Sequence, residues 1–317
     1  MKAVRATSNG AMLVEADEPD IKGFERITIK SASICASDFL YMKWGSREIL
    51  GHELAGVLDD GTPVAIEGIF GCGSCAHCDR GDYNRCTRMT ERVLGVNCPG
   101  GMSEYYAAPR RALVELPPNL DVRNASLCEP GSVAWHGCRL GAVNANTSVA
   151  VVGAGAIGLL AVASAHAQGA GAVALEARHT YQREVGERLG AGSVSGLYDV
   201  VIETGGSESA LHRSVELARP GGTVVIIGVH DETVAFPHRA AFGKELNLRF
   251  ALGYCGSGSA AAGGTRREFS HVADLLNTRP ELADALITHR FGIDDAAEAF
   301  RVAADKGQGA FRVVIHP

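Results

Sequence analysis

The chain has little of what a membrane protein, a secreted protein or a nucleic-acid binder requires. Its N-terminus, MKAVRATSNG, lacks the long apolar core of a signal peptide, and the apolar stretch from Ser148 to Ala165 is broken by three glycines. No secretion signal or membrane span is expected, which places the chain in the cytoplasm. Long basic runs are also missing and the formal net charge is −6, which argues against binding a phosphate backbone and leaves small molecules as the expected partners. The 46% hydrophobic and 21% charged residues exclude a disordered chain or a fibrous repeat. A length of 317 residues suits two domains, each with its own core.

Cysteine, in contrast, is plentiful. Nine cysteines in a reducing compartment read as metal ligands before disulfides where they are closely spaced. The segment GCGSCAHCDRGDYNRC sets Cys72, Cys75, Cys78 and Cys86 along a turn-rich loop that can wrap one ion. Zinc takes a tetrahedron of thiolates, and four protein ligands leave no position for substrate, so the site is expected to be structural. The lobe has few large apolar residues, so metal binding has to supply its stability. An iron–sulfur cluster has the same ligand count, and a pair of disulfides is the bland alternative. His77 is expected to be a solvated loop residue, and Cys98, Cys128, Cys138 and Cys255 to pack as small apolar side chains.

A second motif lies in SVAVVGAGAIGLLAVASAHAQGA, which reads as a strand, a Gly-rich turn and a helix. Gly153 would make the tight turn, Gly155 would let a pyrophosphate approach the backbone, and Gly158, just after Ile157, would let helix and strand pack closely. The helix N-terminus then faces the phosphates of a dinucleotide. The end of the next strand selects the cofactor. About nineteen residues beyond the third glycine the usual acidic position falls on Ala177, followed by Arg178, which could pair with the 2′-phosphate of NADP. Glu176 competes: a shift of one residue would make it a ribose acceptor and restore NAD. NADP(H) is favoured over NAD(H). The strands around Asp199–Gly206 and Gly221–Val229 continue an alternating strand and helix pattern, so a parallel doubly wound sheet is expected. Gly205 and Gly228, at the strand ends, would either approach the nicotinamide half or serve packing.

Three further elements carry chemistry. ICASDF contains Cys35, Ser37 and Asp38, LGHELAG contains His52 and Glu53, and LCEPGSVAWHG contains Cys128, Glu129 and His136. One thiolate, one imidazole and one or two carboxylates make a mixed zinc site with an open position. Ser37 and Asp38 equally suit a helix start.

Taken in order, CxSD, GHE, the four-cysteine lobe, EPxxVAxH, GAGxIG and the closing THRF…DDAAEAF…VV resemble a zinc-dependent medium-chain dehydrogenase, of the branch that includes sorbitol and threonine dehydrogenases. The resemblance implies an α/β chain with a β-rich GroES-like catalytic domain and a Rossmann domain, and two zinc ions per chain. It implies catalytic zinc on Cys35 and His52, with Glu129 as the next ligand and Glu53 as the second candidate, Cys128 being a weaker one. Ser37 would bond the alcohol oxygen and relay its proton, Asp38 would orient His52, and His136 would be structural or near the cofactor. Domain limits are expected at 1–128 for the catalytic domain, with the zinc lobe at 71–88, at 129–279 for the dinucleotide domain and at 280–317 for the return, with the active site between domains. The stretches from Cys35 to His52 and from His52 to Cys72 are shorter than in the family, which should alter the substrate pocket. Tyr41 and Trp44 are candidates to line it or simply to pack at the surface, and Cys255 to Arg266 reads as a flexible, lid-like loop. The expected activity is hydride transfer between an alcohol or polyol and NAD(P), in a homodimer or homotetramer. The alternatives are a zinc-free quinone or enoyl reductase of the same fold, or a non-catalytic nucleotide sensor.

Overall fold

The computed structural model describes residues 1–230, 233–256 and 266–317, so most of the expected lid lies outside the described residues. The chain divides into two compact units, one made of Met1–Glu129 and Cys255–Pro317, the other of Pro130–Tyr254. The return to the first unit therefore begins at Cys255 and not at 280. Arg267 accounts for this. Its guanidinium donates to the carbonyls of Arg111 and Leu113 and to Glu67, which ties the helix Glu268–Thr278 to the strand Leu113–Glu115.

The first unit is built on a seven-stranded sheet. Its path runs Ile287–Gly292, Arg312–His316, Glu25–Ser33, Glu53–Leu58, Pro63–Ile66 and Leu113–Glu115, and Tyr105–Ala108 also pairs with Glu25–Ser33. A separate hairpin joins Lys2–Thr7 to Gly10–Glu15. Alternation decides the buried face: in ERITIKSAS, Ile27 and Ile29 are fully buried while Glu25 is exposed. They join Leu50, Leu54, Ile66, Met102 and Ile315 in one core. The closing helix Ala296–Ala304 buries Ala296, Ala299 and Phe300 at helical spacing, and Phe300 meets Phe39 edge to face with centroids 5.6 Å apart.

The second unit is a six-stranded parallel sheet in the order Gly192–Ser193, Ala172–Glu176, Ser148–Val152, Tyr198–Glu203, Ala218–Ile226, Asn247–Phe250. Ser148–Val152 comes first in the chain and sits in the middle, so the strand order reverses beside it; this is the switch point where doubly wound sheets bind ligands. Parallel strands covered on both faces need unbroken apolar runs, and Val149, Ala150, Val151 and Val152 are all buried. The helix Ala156–Ala167 that follows is buried over almost its whole length. Among the described residues no helix is long and apolar enough to cross a membrane.

Candidate active site

Strand pairing in the first unit gathers residues that are far apart in sequence. Ser33 pairs with Glu53 on one side and Val314 on the other. Cys35 follows two residues past Ser33, His52 directly precedes Glu53, and Arg312 lies two residues before Val314. The ligand atoms of Cys35, His52 and Glu53 consequently lie within 4.8 Å of one another.

Cys35 is the N-cap of the helix Ala36–Lys43, and its backbone N–H donates to Asp38 Oδ2 at 2.9 Å. The other oxygen, Asp38 Oδ1, stands 3.4 Å from His52 Nδ1, and Asp38 is fully buried. The sequence left open whether Asp38 caps the helix or orients His52; one oxygen accepts the cap N–H and the other faces the imidazole. Ser37 Oγ is 3.1 Å from His52 Nε2. Burial disfavours the His52 imidazolium, but the Asp38 charge and hydrogen bond outweigh it and hold the pKa well above the ordinary histidine range. Tyr41 packs on the His52 ring with centroids 5.6 Å apart, while Trp44 is exposed.

Glu53 is fully buried, and neither carboxylate oxygen has a hydrogen-bond partner. Burial raises its pKa, and Arg312 and then His52 work in the opposite direction. Arg312 Nη2 lies 3.1 Å from Glu53 Oε1, and Arg312 Nη1 donates to the Ile34 carbonyl. A soft thiol, an imidazole held by a carboxylate and a carboxylate with vacant acceptor positions fit a mixed zinc site with room for a further ligand. Glu129, preferred to Glu53 on sequence, is buried in the first turn of the helix Cys128–Leu140 and stands outside this cluster, although its charge also bears on Arg312. Cys128 is fully buried and stands outside this cluster, and burial pushes its thiol up to about 12.

The four-cysteine lobe is a second, separate cluster, again with its ligand atoms within 4.8 Å. The Cys72–Cys78, Cys75–Cys78 and Cys75–Cys86 sulfurs are 4.0, 3.6 and 3.9 Å apart. Four thiolates about 2.3 Å from one zinc ion would stand about 3.8 Å from each other, so the spacing fits. Backbone N–H groups already point at the sulfurs, from Cys72 to Cys86 at 3.3 Å and from Ser74 to Cys72 at 3.4 Å. All four are free thiols, which sets the disulfide alternative aside. His77 takes no part, its ring lying 3.2 Å from Arg80. The lobe is anchored by Tyr83, whose hydroxyl donates to Glu67 at 2.6 Å, and Glu67 in turn pairs with Arg267 at 3.1 Å.

In the second unit, Gly153 ends the first parallel strand with φ 104°, a conformation glycine adopts freely. A Cβ on Gly158 would stand 1.8 Å from the Gly153 carbonyl oxygen, so only glycine lets the helix start so close. A Cβ on Gly155 would meet nothing within 4 Å, which leaves the open space that a pyrophosphate needs above a helix N-terminus. Ile157 beside it is half-buried. Gly205 and Gly228 are closely packed: added Cβ atoms would lie 2.7 Å from Ala210 Cβ and 2.5 Å from Gly206 N, respectively. Glu176 ends the second strand, Ala177 follows half-buried, and Arg178 is exposed. His136 is buried, with its ring 3.2 Å from Arg139.

Sequence reading missed Arg312, Arg213, Glu67 and Arg267. Arg312 had one usable signal, a cation inside the apolar run AFRVVI, since arginine is rarely buried unless paired. The others are surface-type residues by sequence, and only folding reveals their partners.

Residues 23–118 match the alcohol dehydrogenase GroES-like domain and residues 125–315 the glucose dehydrogenase C-terminus. The chain is 30% identical to D-xylulose reductase A of Aspergillus oryzae, over 89% of this chain and 87% of that protein. It is 30% identical to L-galactonate-5-dehydrogenase of Escherichia coli, over 86% of each. Among solved structures it resembles a Sinorhizobium meliloti dehydrogenase described as zinc-binding and solved with NADP, at 27% identity and TM-score 0.83, over all of this chain and 99% of that one.

Proposed function

Since the chain belongs to the zinc-dependent medium-chain alcohol dehydrogenase superfamily and is an oxidoreductase, we propose that it oxidises a hydroxyl of a polyol or related sugar derivative with NADP⁺, and reduces the matching carbonyl in reverse. The observation that carries this reading is the meeting of Cys35, His52 and Glu53 within 4.8 Å. These three would hold one zinc ion and Cys72, Cys75, Cys78 and Cys86 a second. When bound, zinc supplies Lewis acidity to the substrate oxygen and the nicotinamide ring supplies the hydride acceptor.

The chain's own groups do the positioning. Ser37, 3.1 Å from His52 Nε2, is placed to accept the substrate's hydroxyl proton and relay it outward. Asp38 holds the imidazole ring in one orientation. Arg312 keeps the Glu53 carboxylate in place, and Glu129 lends negative charge behind Arg312. Gly153, Gly155, Ile157 and Gly158 form the bed for the pyrophosphate, and Ala177 and Arg178 favour the 2′-phosphate of NADP. Free cysteines throughout agree with a cytoplasmic location. The edge strand Asn247–Phe250 exposes Phe250, with Phe242, Val229 and Leu252 also exposed nearby in sequence. An edge strand carrying exposed apolar groups is normally covered, and a second copy of the chain in a homodimer would cover it.

Assays of pentitols, hexitols and sugar acids with NADPH, NADH and their oxidised forms, with and without chelator, test the proposal. Turnover should require metal, prefer NADP(H), and disappear in Cys35→Ser while the fold is kept. Full activity of that variant would sink the catalytic site, and better use of NADH would overturn the cofactor preference. Chelator-resistant reduction of activated double bonds would instead support a zinc-free reductase, and tight cofactor binding without turnover a sensor.

A further inference from the structure

In dinucleotide sheets, a carboxylate at the end of the second strand normally accepts the ribose hydroxyls of NAD and repels the phosphate of NADP. This chain has a carboxylate there, Glu176, directly before the Ala177–Arg178 pair that favours NADP. The two signals conflict on sequence alone. Arg213, from the helix Glu208–Leu217, removes the conflict: its Nε lies 2.9 Å from Glu176 Oε1 and 2.8 Å from Oε2, so one cation faces both oxygens. Nη1 of the same guanidinium meets Glu216 at 3.1 Å, which braces it from its own helix. Arg178, by contrast, is exposed and has no ion pair among the described residues.

We propose that Arg213 is a specificity-determining residue of the cofactor site: by matching the charge of Glu176 it suppresses repulsion of the 2′-phosphate and leaves Arg178 to bind that phosphate. The inference rests on the NADP reading above and names the residue that makes Glu176 compatible with it. Stability does not explain the pair. The Arg213 and Glu176 side chains are 40% and 36% exposed, and ion pairs so open to solvent contribute little to folding. Next to a doubly charged phosphate, however, an unmatched carboxylate acts directly on the ligand. Arg213 acts through Glu176 and is a positioning residue, with no contact to the reacting atoms.

Steady-state kinetics of the full chain with NADPH and NADH, for the native protein and for Arg213→Gln, Arg213→Lys, Glu176→Gln and the Arg213→Gln/Glu176→Gln double variant, tests this. Arg213→Gln should raise KM for NADPH about tenfold and leave kcat nearly unchanged, while the KM for NADH stays the same or falls, because the freed Glu176 carboxylate can then accept the ribose hydroxyls. Adding Glu176→Gln should restore the NADPH value, because the repelling charge is gone, and Arg213→Lys should retain most of it. Equal changes with both cofactors, or no rescue in the double variant, would overturn the proposal and leave the pair a local brace. A native preference for NADH would overturn the NADP reading and the inference with it. Native preference for NADPH with an unchanged ratio in Arg213→Gln would overturn the inference alone.

Discussion

Replacing Glu53 by Gln decides which carboxylate completes the candidate catalytic site. Glu53 is fully buried and Arg312 is 6% exposed, with Arg312 Nη2 and Glu53 Oε1 3.1 Å apart. Two unit charges at that distance attract by about 5 kcal/mol at an effective dielectric of about 20. Gln keeps the volume and one acceptor but loses the charge, which leaves a cation buried without its partner. Removing one member of such a pair costs about 3–5 kcal/mol, and the chelator-treated variant should lose that much in urea unfolding. Metal analysis should show the catalytic zinc lost and the lobe zinc kept. Glu129→Gln should keep both ions, because Glu129 lies outside the three-residue cluster. Loss of an ion from Glu129→Gln with none lost from Glu53→Gln would move the ligand role to Glu129. Unchanged stability of Glu53→Gln would refute the energetic account of the Arg312 pair.

Burial lifts the Glu67 carboxyl from 4.5 to about 7, against the pull of Arg267 and Tyr83. Because the folded state then binds the proton more tightly, the unfolded state carries fewer protons between those values and stability falls as pH rises through this window, by about 3 kcal/mol in total. Glu67→Gln should flatten that slope in urea midpoints taken from pH 5 to 8, and parallel profiles for the two proteins would sink the assignment. Phe250, 75% exposed on the edge strand, should be covered in the assembled enzyme. Phe250→Glu should convert a dimer to monomers by light scattering, and a native chain that is already monomeric at micromolar concentration would rule out pairing along this edge.

The parts of the fold that could be read in the sequence are those whose signals are local. The Gly153–Gly158 turn needs a strand before it and a helix after it, all within a short window, and the steric demand for glycine at 158 comes from the Gly153 carbonyl a few residues away. The cysteine lobe is legible for the same reason, since spacing alone lets one loop surround an ion. Dehydrogenase chemistry and the interrupted two-domain architecture became legible only through the order of motifs along the chain. The meeting of Glu53 with Cys35 and His52 was not legible, because it turns on the register Ser33↔Glu53, a pairing that no local pattern reveals. The pairing of Glu176 was not legible, because its partner Arg213 is 37 residues away and belongs to a helix whose face cannot be known in advance. The return point was placed too late for a similar reason: Arg267 finds Glu67 from 200 residues away.

The two cysteine-containing sites therefore form by different routes. The lobe spans Cys72 to Cys86 and could close around metal with local contacts alone, which suits a closed site that braces a loop. The Cys35, His52 and Glu53 cluster with its Arg312 partner requires the strand carrying Ser33 to pair with both the Glu53 strand and the last strand of the chain, because Arg312 arrives only with Arg312–His316. Closing so long a loop is entropically costly and must be offset by the apolar contacts of Val313 and Ile315, both nearly fully buried in the core of the first unit. Until that strand docks, Glu53 would be a buried carboxylate without a cation beside it. The dependence ties the position of the Glu53 carboxylate, and with it the proposed catalytic site, to docking of the last strand.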